Sequence, residues 1–215
     1  MCFNETQSYI NVFILVLISI IKFDNKKIAF TLLFLSIKDL LQGLLYKYNK
    51  NYKINNILTS LSWIHICFQP FIVNLFISNF DKNNDSYWNI IFSICLIFGI
   101  YQIFTLKEFE LYDDDYFSNK TQSYIGKYHL GYQFNRQYDF FSKFPIYMLL
   151  CFIPSLFASF SSQIVGFIWI FFVLILNYLF KNVRNGEFAA IWCFLTLICI
   201  VPISILEKYI LKLNK

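Results

Sequence analysis

SWIHICFQPFIVN, residues Ser62 to Asn74, places four polar side chains, Ser62, His65, Gln69 and Asn74, inside an apolar run with the length of a membrane span. On a helix, residues three and four apart share a face, so Ser62, His65 and Gln69 form one polar stripe while Asn74 points nearly the other way. Pro70 lacks an amide hydrogen and therefore frees the carbonyl of Ile66, one position beyond His65. Polar groups at this depth need partners. The stretch reads as the polar centre of a helical bundle.

The rest of the chain agrees. Of 215 residues, 58% are hydrophobic and 14% charged, and the mean hydropathy of +0.53 is too high for an ordinary soluble domain. The expected fold is all-α, a single polytopic transmembrane bundle of seven helices over residues 1–215 with the lipid bilayer as its partner. The lean towards Phe, Tyr, Asn and Lys reflects an AT-rich genome rather than a function. A formal charge of +5 suits loops that meet anionic lipid and gives no support for nucleic-acid binding. Cys67, Cys95, Cys151, Cys193 and Cys199 fall in apolar runs, where a thiol packs as a small hydrophobe, and only Cys2 reads as exposed. No CxxC pair, Walker motif, GxGxxG or GxSxG occurs.

Apolar runs place the spans at about 9–22, 28–46, 54–80, 88–106, 144–160, 164–180 and 187–210. Each approaches or exceeds the roughly 20 residues that cross a hydrocarbon core. Basic residues follow the first run rather than precede it, the reverse of a signal peptide, so span 1 is expected to be retained. Ser161, Ser162 and Gln163 read as a tight turn between spans 5 and 6. Seven spans put the N-terminus and even loops on one side, face A, and the odd loops and C-terminus on face B. Outside the long loop, face A carries Lys47, Lys50, Lys53, Lys181 and Arg184, whereas face B carries Lys22, Lys26, Lys27, Lys82, Lys208, Lys212 and Lys215. The balance favours face B in the cytoplasm and the N-terminus outside. Sequons at Asn4 and Asn119 on face A agree with this, and one at Asn84 on face B does not.

The long loop, 107–143, carries a period of two from Tyr124 to Phe134, which predicts a strand forming half of a hairpin over face A, with His129 on its polar side. Asp113, Asp114 and Asp115 read as solvated charge, with cation binding as the alternative.

Depth along the spans gathers the remaining polar groups. His65 lies eleven residues in from the face A end of span 3, and Asp39 seven residues in from that of span 2. Gln42 follows Asp39 on its stripe, and Glu187 opens span 7 on face A with Trp192 and Cys193 further in. An ionisable group in hydrocarbon costs at least a few kcal/mol, so Asp39 should face the interior, with His65 as its nearest candidate partner. Lys38 is expected to snorkel towards face A. Asp39, Gln42, Ser62, His65, Gln69, Asn74, His129, Glu187 and Trp192 are thus the candidate ligand-binding residues. Three readings remain open: a polar pocket for a small ligand, ion or proton; a membrane-embedded metal-dependent hydrolase acting on lipid, with His65 and His129 as ligands or bases; and a structural scaffold of a host or virion membrane, in which the stripe only holds helices together. No HExxH or other dense ligand spacing is present, so no metal or cofactor is assigned. The usual Schiff-base position of a retinal protein is empty, because span 7 contains no lysine before Lys208.

Asp39-Leu-Leu-Gln42, SWIHICFQPFIVN, GKYHL at Gly126–Leu130 and NGEFAAIWCF at Asn185–Phe194 together resemble an uncharacterised family of multi-pass membrane proteins found in protists, bacteria and giant DNA viruses. The resemblance runs over nearly the whole chain. It implies the seven-helix fold and places Asp39, Gln42, His65, Gln69, Asn74, His129, Glu187 and Trp192 in the family's motifs, but supplies no activity. The acid of span 2 is usually Glu in that family, so Asp39 reaches one methylene less far. A giant-virus source would put the protein in a host or virion membrane.

Overall fold

A computed structural model describes residues 4–81, 84–104, 121–126, 130–133, 140–179 and 196–214. Among these, the chain forms seven α-helices and one hairpin: α1 Glu5–Ile21, α2 Lys26–Lys47, α3 Tyr52–Ser78, α4 Asp85–Phe104, β1 Gln122–Ile125, β2 Leu130–Gln133, α5 Phe140–Leu156, α6 Phe160–Leu179 and α7 Val201–Leu211, the last entered through a π-helical turn, Thr196–Ile200. By length and composition α2, α3 and α4 can each cross a membrane. The first helices start where asparagine stops them from starting earlier. The side-chain oxygens of Asn4, Asn25 and Asn51 accept the amides of Gln7, Ile28 and Ile54, capping α1, α2 and α3.

Burial runs inside out, as lipid requires. In α1 the buried face is Ser8, Asn11, Leu15 and Ser19, while Ile10, Phe13, Leu17, Ile20 and Ile21 are exposed. A helix in water would be turned the other way round, because apolar surface is what water rejects and unpaired polar surface is what hydrocarbon rejects. The polar side of α1 lies against α2, where Gly43 lets the ring of Tyr9 come so close that an added Cβ would sit 2.9 Å from it.

α3 is the hub. It packs against α2, α4, α5, β1 and α6. At Gly99 of α4 a Cβ would lie 2.8 Å from the carbonyl of Cys67, so only glycine permits this helix crossing. Trp63 closes the same interface by donating to the Gln102 carbonyl at 3.3 Å. An apolar core of Leu15, Leu32, Phe76, Ile77 and Trp169 fills the half towards face B.

Two elements fall differently from the sequence reading. The period of two does mark the hairpin, but it runs through the hairpin's turn: β1 and β2 pair antiparallel, Gln122 with Gln133 through Ile125 with Leu130, so the chain reverses within what reads as one continuous strand. The turn between α5 and α6 comes earlier than Ser161–Gln163. α5 ends at Leu156, α6 starts at Phe160, and Ser161 and Ser162 instead donate from inside α6 to the carbonyls of Ile210 and Ile77.

Candidate functional site

His65 is the midpoint of α3, 65 − 52 = 13 residues from Tyr52 and 78 − 65 = 13 from Ser78. It is therefore central in depth rather than displaced towards face A. On α2 the residue at the same depth, 47 − 34 = 13 from the helix end, is Phe34, since the two helices are antiparallel and joined by a short turn. The two rings stack at 4.0 Å between centroids and 24° between planes, and His65 Nε2 lies 2.7 Å from the Phe34 carbonyl oxygen. A carbonyl only accepts, so its partner assigns the hydrogen to Nε2 and leaves Nδ1 of the neutral ring as an acceptor.

Asp39 does not receive this bond. It sits 47 − 39 = 8 residues from the end of α2, hence five residues, or about 7.5 Å, nearer face A than Phe34. The partner of His65 is a backbone carbonyl one helix away. Asp39 itself is buried, 2% exposed.

The feature that sets this region apart is a run of buried polar atoms that make no hydrogen bond. Among the described residues, Gln42 Nε2 and Oε1, Ser62 Oγ, His65 Nδ1 and Gln69 Nε2 are all without a partner. Their residues are 0%, 0%, 5% and 3% exposed. Each such atom costs about 1–3 kcal/mol when nothing fills its valence. Asn74 Oδ1 and Trp169 Nε1, elsewhere in the bundle, share this state. Ser62, His65 and Gln69 are the stripe on α3, and Gln42 stands on the Asp39 side of α2. Gln69 Oε1 is the exception, because Tyr147 of α5 donates to it at 2.6 Å. The stripe thus meets α2 through His65 and α5 through Gln69.

The hairpin covers the face A end of α3. Asn55 donates through Nδ2 to the Ser123 carbonyl at 3.1 Å and accepts the Ser123 amide at 2.8 Å, while Asn56 donates to the Thr121 carbonyl at 2.8 Å. Beneath this cap Lys38 does not snorkel. It is 1% exposed, and its ammonium lies 4.1 Å from the centre of the Tyr132 ring, because the space that water would occupy at the helix end is filled by β2. Asn74 stands apart from the stripe, as its helical angle requires. Its Nδ2 donates to the carbonyls of Pro70 and Leu150, both at 2.8 Å, and tie α3 to α5. His129, Glu187 and Trp192 lie outside the described residues. Among the described residues no three His, Cys, Asp or Glu side chains come together as a metal site would need.

A second polar cluster, which the sequence reading misses, ties the helix ends at face B. The carboxylate of Glu207 in α7 meets Lys22 at 3.4 Å, accepts from Asn79 at 3.1 Å, and accepts from Asn25. Asp81, 2% exposed, accepts from Trp88 Nε1 at 3.1 Å, from Asn84 Nδ2 at 3.2 Å and from the Ser159 amide at 3.3 Å. Two carboxylates thus join ends of six of the seven described helices, all but α5, through charge-assisted bonds.

Helices that bury polar side chains and turn apolar ones outward, three of them long and apolar enough to cross a membrane, mark a multi-pass helical membrane protein. Residues 10–212 match DUF5765, a family of unknown function, and the chain belongs to that family. No curated protein and no solved structure matches the chain.

Proposed function

We propose that the protein is an integral membrane receptor or carrier-like binder that holds a small polar ligand in the chamber formed by Asp39, Gln42, Ser62, His65 and Gln69. The ligand enters from face A, the side bearing Glu5, where the hairpin lies. The observation that carries this reading is the set of unpartnered polar atoms on Ser62, His65 and Gln69, one stripe of α3, with those of Gln42 on α2 nearer face A. In lipid such atoms have no solvent to turn to, so a molecule that completes their hydrogen bonds would be held there. The lysine balance supports an N-terminus outside and a C-terminus in the cytoplasm. With a viral source the membrane is that of the host or the virion.

The test is the state of His65 Nδ1. In protein labelled with ¹⁵N-histidine and embedded in lipid nanodiscs, the signal lost in His65→Gln identifies this ring among the 2 histidines of the chain. The expected resonance is that of an unprotonated nitrogen accepting a hydrogen bond from an occupant. A bare nitrogen, as in an apolar solvent, would show an empty chamber and end the proposal.

A further inference from the structure

Face B carries a basic surface whose two halves are far apart in the sequence. Lys22, Lys26 and Lys27 belong to the turn between α1 and α2, and Lys208 and Lys212 to the end of α7. Glu207 brings the halves together. It pairs with Lys22 at 3.4 Å and accepts from Asn25, so Lys26 and Lys208 each follow directly on a residue of that contact. The pairing also sets one charge of each sign against the other. On these two segments there then remain Lys26, Lys208 and Lys212, all exposed, and Lys27, half-buried, against one exposed acid, Asp24.

Charge alone would suit any anion, and the neighbours of these lysines decide the kind. Phe23 is 71% exposed, Tyr209 69% and Leu213 53%, and the Lys212 ammonium lies 5.7 Å from the centre of the Tyr209 ring. Lys208 and Lys212, four residues apart, share one face of the helix. All these residues stand at helix ends, where hydrocarbon gives way to headgroups. There an apolar side chain beside an ammonium matches an acyl chain beside a phosphate. We propose that the α1–α2 turn and the end of α7 form one docking surface for the headgroup of an anionic phospholipid in the face B leaflet. Lys47, Lys50 and Lys53 at face A are exposed as well, but they all belong to the single α2–α3 connection. This surface is independent of any ligand near His65.

The purified protein in detergent is titrated with phosphatidylserine or phosphatidylcholine, and native mass spectrometry reads the dissociation constant of the first lipid bound. Phosphatidylserine is expected to bind more tightly. Lys26→Gln with Lys27→Gln, and separately Lys208→Gln with Lys212→Gln, should each weaken it about 25-fold, at about fivefold per lysine. Asp24→Asn should tighten it by about fivefold. Binding of phosphatidylcholine should stay unchanged in all of these variants, which shows that they are folded. The triple variant Lys47→Gln, Lys50→Gln and Lys53→Gln should leave the first phosphatidylserine in place. Equal affinity for the two lipids, a loss confined to one of the face B pairs, or an equal loss in the face A triple variant overturns the proposal. So does displacement of the lipid by an equal concentration of inorganic phosphate, which would mark a site for the free anion.

Discussion

The two polar clusters of this protein are built from similar residue types and are used in opposite ways. At face B, Glu207 and Asp81 are surrounded by donors, so nearly all the hydrogen-bonding capacity there is closed within the protein. On α2 and α3, Gln42, Ser62, His65 and Gln69 are buried just as deeply, yet five of their atoms make no bond. Burial alone therefore does not separate a structural polar group from a binding group in a membrane. Completion of hydrogen bonds is the sharper contrast between these two clusters.

Mutations should break this contrast in a definite order. The largest loss is expected from Asp81→Ala, which leaves the Trp88 indole, the Ser159 amide and Asn84 without their acceptor. About 3 kcal/mol should be lost, read as a lowered unfolding midpoint of the purified protein. Glu207→Ala should follow at about 2 kcal/mol by the same measurement, since its ion pair with Lys22 is partly solvated and only its asparagine bonds are well enclosed. An unchanged midpoint in both variants would mean that the face B cluster does not hold the bundle. Lys38→Met removes a desolvated cation–π contact of about 1 kcal/mol. Its effect should be local, seen as faster hydrogen exchange in Gln122–Gln133 with the rest of the bundle unaltered. Tyr147→Phe should cost only about 0.6 kcal/mol, an ordinary interhelical bond in a membrane, and frees Gln69 Oε1 to the chamber. Smallest of all is Gln42→Leu, for which no destabilisation is expected and a slight gain is the natural outcome, because it deletes two unsatisfied atoms. A loss of 2 kcal/mol there would show that Gln42 is structural, and the contrast between the clusters would fail.

Much of the fold was legible before any coordinates. The apolar runs at about 28–46 and 54–80 fall on α2 and α3, and the spacing of Ser62, His65 and Gln69 defines the stripe together with the separate direction of Asn74. What was hidden has physical causes. The partner of His65 is a backbone carbonyl, and every residue has one, so sequence cannot distinguish Phe34 from its neighbours. Lys38 was read by a rule that assumes water at the helix end, and the hairpin replaces that water. The turn of the hairpin lies inside an alternating pattern that continues on both sides of it. Glu207, Asn25, Asn79 and Asp81 went unread because polar residues at the ends of spans are ordinarily solvated, and only the folded chain brings the ends of α2, α3 and α7 together. The unpartnered state of Gln42 likewise belongs to the assembled bundle, not to any one segment.

The length of α1 has a consequence for the lipid around it. Its 17 residues make a rod of about 25 Å, shorter than an average hydrocarbon core of about 30 Å. It is capped at both ends and faces outward with Phe13 and Ile20, so as a membrane span it would require the neighbouring acyl chains to compress or tilt to meet it. The protein should consequently partition into thin bilayers in preference to thick, sterol-rich ones and draw short-chain lipids to the side where α1 stands.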